Sequence, residues 1–378
     1  LRFLAFIAAL FVAAPAHADF LLNGQGPSGV YSLYRITDDG ALTNPTAIIG
    51  PSGSGFDASH VYWPSGVMVG STLKVYASGQ DASGNISLGL WTSTNGINFT
   101  RVGQVLAPIS GEGQIGGAHV VYDAADTVAP YKMWFGTNYG TRPVVIKYAT
   151  STDGVSWTRQ GTVITASQSY EANGFQLDFV CYDAASSLWR MWYDATGDNG
   201  ATFQAIEATA SSPGGPWTKV GPVLSPVGGS AYTVSSTVTP GSRYLRLNTT
   251  SGLNVGGVYV LGNGTVSERV VIEAVLDSDE ASIKDAMVSS GSNFTLRPVD
   301  AKKVALSSFW RDSNGVGRAV FTGWGAGSGA LMEYAFEGYQ SGGVFVRDFA
   351  APARFKPTGP GSLYSFENPS LIKSGPEC

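Results

Sequence analysis

Three acidic residues hold matching places in the sequence: Asp57 ahead of "HVYWPSGVMV", Glu112 ahead of "IGGAHVVY" and Glu171 ahead of "FQLDFVCY". Seven residues after each stand Pro64, His119 and Asp178. Carboxyl groups brought together from separate segments suit cleavage of a glycosidic bond. One protonates the leaving oxygen while the other activates water or attacks, at roughly 6.5 to 9.5 Å apart for inversion and 5 to 5.5 Å for retention. Asp57, Glu112, Glu171 and Asp178 are therefore the candidate catalytic groups. His60, His119, Trp63, Asp285 and Glu367 lie at or near corresponding places and are candidate substrate contacts, the abundant Trp and Tyr offering flat faces suited to sugar rings. The competing reading of each acid is a turn former whose carboxylate binds its own backbone. His60 and His119 lack the tight spacing of metal ligands, so they read as hydrogen-bonding residues, and neither metal nor cofactor is expected.

The elements that must position these groups repeat. A shift of 58 residues lays "LKVYASG" (73–79) on "YKMWFGT" (131–137) and then on "WRMWYDA" (189–195), and "STNGINFTRVGQVL" (93–106) on "STDGVSWTRQGTVI" (151–164). A shift of 60 carries the last onto "SSPGGPWTKVGPVL" (211–224), matching Trp157 with Trp217 and Arg159 with Lys219. Each unit alternates like four strands, with Asn-Gly, Asp-Gly or Gly-Gly at the third-to-fourth connection, a strong hairpin signal. Repeated four-stranded units are the mark of propeller blades. The expected fold is all-β, a propeller of five or six blades. Clear blades cover 57–106, 112–164 and 171–225, and weaker ones 230–300 and 302–349. A split blade pairs 29–51 with 362–373, so that N- and C-terminal strands close the ring and remove its open edges. In such a ring the first strands line a central channel, and polar groups at their starts converge on one mouth.

Bulk properties narrow the classes. With 43% hydrophobic, 12% aromatic and 13% charged residues and 49 glycines in 378, the chain can bury a large core and favours short strands joined by tight turns. A net charge of −5 with no Lys/Arg cluster argues against nucleic acid, whose binding needs concentrated positive charge. Residues 1–18, with Arg2, the apolar run Phe3–Ala14 and the Ala16-His17-Ala18 ending, have the layout of a signal peptide, so a secreted or periplasmic protein without membrane insertion is expected. The missing initial Met and the end in mid-pattern lead us to expect a piece of a longer protein. Two cysteines, Cys181 in an apolar strand and Cys378 at the last position, do not suggest a disulfide framework. "GQGPSG" (24–29) and "GEGQIG" (111–116) fit G-x-G-x-x-G but open no helix, which a pyrophosphate site requires.

The "YKMWF" and "WRMWY" strands, the "YATSTDGVSWTR" turn and the "ENPSLI" and "FDASHVYWPSGV" first strands resemble the secreted propellers of glycoside hydrolase families 43, 32, 68 and 130. The resemblance is good over 57–225 and loose elsewhere. It implies a base, a pKa modulator and an acid on first strands of successive blades: by position Asp57 as base, Asp178 or Glu112 as modulator and Glu171 as acid. The sequence departs from that pattern where His119 replaces an expected Asp and where Asp57 stands well ahead of Pro64. Six blades would instead resemble the sialidases, although "STDGVSW" has Asp and Gly adjacent where their Asp-box separates them. The expectation is a monomeric, secreted glycoside hydrolase acting on polysaccharide or oligosaccharide. The alternative is a non-catalytic propeller that binds glycan or protein at the cell surface.

Overall fold

Strands of alternating apolar and polar residues, cut by Gly-rich turns, build five four-stranded antiparallel sheets and a sixth sheet of a different kind. The computed structural model describes residues 20–25, 29–36, 47–139, 144–226, 231–255, 257–263, 267–298, 303–324, 333–347 and 365–378; the expected signal peptide lies outside them. No α-helix is found among the described residues. Blade I runs His60–Val69, Thr72–Gln80, Ile86–Ser93, Thr100–Leu106. Blade II runs Gln114–Tyr122, Tyr131–Tyr139, Val145–Ser151, Thr158–Thr165. Blade III runs Gly174–Asp183, Leu188–Thr196, Gln204–Ala210, Thr218–Leu224. Blade IV runs Lys303–Arg311, Gly317–Trp324, Glu333–Ser341, Val344–Arg347. In the split blade Ser365–Leu371 pairs with Phe20–Gln25, which continues to Tyr31–Ile36 and Ala47–Ile49. The first strands of blades I to IV touch in succession, and Ser365–Leu371 touches those of blades IV and I.

The apolar cores lie between blades. Leu21 and Leu33 of the split blade pack with Val61, Val75 and Trp91 of blade I. Tyr76 and Leu90 meet Val120 and Phe135 of blade II, Trp134 and Ile146 meet Val180 and Tyr193 of blade III, and Phe179 and Trp192 meet Phe309 and Phe321 of blade IV. The repeated turn fastens each blade to the one before it. Within "STDGVSW", Ser151 Oγ accepts the Gly154 N–H at 2.8 Å and Asp153 Oδ1 accepts those of Val155 and Ser156 at 2.7 and 2.8 Å. The Tyr76 hydroxyl then donates to the Gly154 carbonyl at 2.8 Å, while Lys74 Nζ donates to that of Asp153 at 2.9 Å. A Cβ on Gly154 would come within 2.5 Å of the Tyr76 oxygen, and its φ of +75° suits glycine alone. The equivalent turn of blade III takes a hydrogen bond from Trp134 Nε1 to the Pro213 carbonyl at 3.0 Å.

Two expectations need correction. Residues 230–300 are not a fourth blade. Strands Tyr232–Thr233, Tyr244–Arg246, Val258–Gly262, Ser267–Val275, Glu280–Ile283 and Thr295–Pro298 form one six-stranded sheet. Its two outer strands meet: the Ser235 N–H donates to the Arg246 carbonyl and the Asn248 N–H to that of Thr233, both at 2.8 Å. The sheet thus closes on itself around its own core, which includes Leu245, Tyr259, Leu261, Ile272, Ile283 and Phe294. Alternating apolar residues satisfy such a barrel as well as a blade. The second correction concerns the cysteines, which are joined as Cys181–Cys378. After Leu371 the backbone runs along the first strand of blade I, where the Met68 N–H donates to the Lys373 carbonyl at 2.7 Å, and on to that of blade III. There the Tyr182 N–H donates to the Pro376 carbonyl at 2.7 Å and the Cys378 N–H to that of Tyr182 at 2.9 Å, which brings Cys378 against the buried Cys181.

Replacing 231–298 with a short Gly/Ser linker is expected to leave a cooperatively unfolding propeller, because Tyr232 and Leu296 pair and so bring the barrel's ends together. Circular dichroism melting checks this, and loss of the transition would show the barrel to be integral. Cys378→Ser is expected to cost about 2–4 kcal/mol, read as a lower urea midpoint under oxidising conditions.

Candidate functional site

The three acids ahead of the first strands do not meet one another. Each turns back onto the outer strand of its own blade and binds a cation there. Asp57, fully buried, accepts Arg101 Nε and Nη2 at 2.9 and 2.7 Å and the Ser52 hydroxyl at 2.7 Å. Glu112 accepts Arg159 Nε and Nη2 at 3.0 Å each, Lys147 Nζ at 3.1 Å and the Ile109 N–H at 3.1 Å. Glu171 accepts Lys219 Nζ at 2.6 Å, the Tyr193 hydroxyl at 2.7 Å and the N–H groups of Ser167 and Gln168 at 2.8 and 2.9 Å. Burial alone would raise the Glu112 and Glu171 carboxyls, but the Arg159 and Lys219 bonds, helped by backbone N–H donors, hold both below the usual range. The catalytic assignment of Asp57, Glu112 and Glu171 is therefore corrected. They are blade latches, and their backbone bonds are those of a turn former.

The first strands meet at a different level. Each carries one residue more than its partner strand at the same depth. The register slips between Tyr62 and Ser65 in blade I, Gly116 and His119 in blade II, Leu177 and Phe179 in blade III, and Leu306 and Ser308 in blade IV. In the split blade it slips between Glu367 and Ser370. Bulges of this kind bend a strand and re-aim its side chains. The residues so displaced, Trp63, Pro64, Gly117, Ala118, Asp178 and Ser307, line one cleft together with Gln176 and Leu177, about 330 Å³ counted with the solvent space it opens onto. Trp63 has φ +54°, a left-handed conformation rare for a bulky residue. Its N–H donates to the buried Asn23 Oδ1 at 3.3 Å, and its ring lies so close to Gly116 that a Cβ there would be 3.1 Å from it. Asp178 is half-buried, and Ser307 Oγ lies 2.8 Å from Thr322 Oγ1.

Of the expected site residues, the cleft contains Asp178 and Trp63. Gln176 and Ser307 were missed, because a bulge leaves no trace in composition. His60 accepts the Tyr31 N–H on Nδ1 at 3.2 Å, and burial lowers its pKa, so it joins two blades as a neutral acceptor. His119 does not line the cleft. Its ring packs on Phe179 at 4.5 Å, and burial, with the charge of Lys373, lowers its pKa to about 3. Asp285 is exposed in the inserted barrel, outside every first strand, which corrects its placement. The backbone of Glu367 stands opposite Asn23 on the first strand of the split blade, one residue before the bulge. Among the described residues no group of three His, Cys, Asp or Glu could hold a metal.

A thermostable family-43 glycoside hydrolase superposes on this architecture with a TM-score of 0.51 at 13% identity, over 90% of this protein and 92% of that one. This is the glycoside-hydrolase propeller fold. The complex of BT0996 with RGII is similar at a TM-score of 0.50 and 11% identity, over 87% of this protein and 82% of that one. No protein-family model matches the sequence. In sequence it is 34% identical over 97 residues to the uncharacterized protein Rv1502 of Mycobacterium tuberculosis, a match spanning 24% of this protein and 30% of that one.

Because the Glu112 and Glu171 carboxyls are held low, their stabilisation is complete above the ordinary Glu value of 4.5 and is lost as pH falls through their folded pKa values. Acid titration followed by tryptophan fluorescence is expected to show destabilisation beginning below that value. Glu112→Gln and Glu171→Gln are each expected to cost about 3 kcal/mol by leaving a cation without its partner, while ligand binding at the cleft persists. Paired denaturation and binding measurements check both parts.

Proposed function

We propose that the protein is an exported, carbohydrate-active propeller that takes a sugar unit of a polysaccharide or oligosaccharide in the bulge-lined cleft. The convergence of the displaced residues on one cavity carries this reading. An indole in a strained left-handed backbone persists only where the surroundings hold it, and such strain collects at binding sites. Trp63 supplies the apolar face for a sugar ring. Asp178, Gln176 and Ser307 supply acceptors and donors for its hydroxyls. The acidic cleft and the net charge of −5 favour a neutral ligand over an anionic one. Arg2 and the apolar run after it support export. The propeller needs no second copy to form its cleft, which fits a monomer.

Hydrolysis is the second reading, and Asp178 favours it, as a carboxylate in the cleft of a fold shared with a family-43 hydrolase. Such chemistry needs a second carboxylate at the separations given above. Glu367, the remaining candidate acid on a first strand, stands one residue ahead of that strand's bulge and is the partner this reading requires.

Calorimetric titration with arabino-, xylo-, fructo- and manno-oligosaccharides is expected to find a binder among them. Trp63→Ala is expected to weaken it by more than about tenfold, the equivalent of about 1.4 kcal/mol, with the melting curve retained. Release of reducing sugar by the wild type and its loss in Asp178→Asn would establish hydrolysis, and binding without release would leave a lectin-like protein. Absence of binding across the panel would overturn the glycan reading.

A further inference from the structure

The conformation of Trp63 runs against its own sequence. A bulky residue avoids a φ of +54°, and the proline that follows it favours extended backbone at that position. Something outside the strand must hold it. Trp63 and Pro64 are left over where the register slips between Tyr62 and Ser65, so the Trp63 N–H falls out of the ladder of blade I. It is met instead by Asn23 Oδ1 of the split blade, at 3.3 Å and 40 residues away in the chain. The same device recurs around the layer. The N–H groups of Gly117 and Val120, at the bulge of blade II, donate to Ser78 Oγ and Ser65 Oγ of blade I at 3.1 and 2.9 Å. That of Leu371, past the bulge of the split blade, donates to Ser308 Oγ of blade IV at 2.9 Å. Each acceptor is buried and comes from the preceding blade. A buried polar side chain costs stability unless it is bonded, so these residues answer the N–H groups that the bulges release.

Asn23 differs from the serines in what it holds. Phe20, Leu21 and Leu22 before it in its strand are buried and apolar, and an apolar side chain would suit its place as well. Across its hydrogen bond stands the indole that lines the cleft. That ring is bounded by Tyr62, edge-on at 4.6 Å between centroids, and by Gly116 of blade II. A Cβ on Gly116 would lie 3.1 Å from the indole and 2.9 Å from Ser78 Oγ. We infer that Asn23 is a positioning residue: its buried amide fixes the backbone of Trp63 and so the pose of the indole that the cleft offers to a ligand. None of the described residues lining the cleft belongs to the split blade, so Asn23 acts on a ligand through Trp63. The inference rests on the glycan reading for what Trp63 contacts, and on the geometry alone for how Trp63 is held.

The test uses the whole protein. The emission of Trp63 itself is obtained in each background by subtracting the spectrum of the matching Trp63→Phe variant, and its quenching by acrylamide is measured. Asn23→Ala, and Asn23→Leu, which keeps the side-chain volume, are expected to raise that quenching at least about twofold, while Asn23→Asp, which keeps the acceptor, stays near wild type. Ser308→Ala removes an acceptor of the same layer away from Trp63, and is expected to lower stability without changing the Trp63 signal. In calorimetric titration with the panel oligosaccharide that binds, Asn23→Leu is expected to weaken affinity more than about tenfold, an effect that disappears in the Trp63→Ala background. Unchanged Trp63 quenching in folded Asn23→Leu, or an affinity loss as large without the indole as with it, would overturn the inference. If no saccharide binds, the glycan reading falls and the quenching still decides the role of Asn23.

Discussion

A four-stranded sheet with apolar residues on both faces has no stable existence by itself; each blade is a solvent for its neighbours. Trp134 and Trp192, fully buried, are covered because the next blade supplies the other wall. The rest of the molecule follows from that mutual dependence. Blades must be held at a fixed spacing, so the Tyr76 and Trp134 bonds cross from one blade to the hairpin turn of the next. Arg311 of blade IV likewise grips Asp183 of blade III with two bonds of 2.8 and 2.6 Å. In blades I to III the acid-to-outer-strand latch also ties the entry of the first strand to the outer strand of the same blade.

The same arrangement decides which carboxylates are available for chemistry. A buried acid whose oxygens are engaged by a cation and by neighbouring donors is shielded from a substrate, and where its proton affinity is lowered it makes a poor general acid. The latch residues belong to the scaffold for that reason. The proposed cleft lies further inward, at the level where the strands depart from regular pairing. Irregularity costs hydrogen bonds, and its recurrence in all five first strands at one depth marks the depth at which side chains are turned toward the axis.

Blades I to III were legible because their signals are local: a hairpin turn, an aromatic strand and a fixed period. The first strand of the split blade was legible through the likeness of Pro369-Ser370 to Pro64-Ser65, whereas its partner Phe20–Gln25 lies ahead of the expected 29–51. The latches were within reach. The acid and its cation lie 44, 47 and 48 residues apart in the three units, a regularity visible once Arg159 is laid over Lys219. The bulges were not, since one extra residue in a strand changes neither composition nor alternation enough to notice. The barrel was hidden for a related reason: 231–298 alternates like any half-buried strand set, and only the pairing of its outer strands distinguishes closure from stacking. The disulfide joins residues whose nearness depends on the course of the tail, which nothing local encodes.

The pairing of Phe20–Gln25 with Ser365–Leu371 also has a temporal meaning. The earliest of the described strands to leave the ribosome receives its inner partner from the latest. Until then the hairpin of Phe20–Gln25 and Tyr31–Ile36 has one unsatisfied edge, and blade I lacks a wall. The split blade therefore cannot be completed until residues 365–371 have been made, and its N-terminal strands wait half-covered for that event. Cys378 lies seven residues beyond Leu371, so its joining to Cys181 follows that pairing as the final stitch.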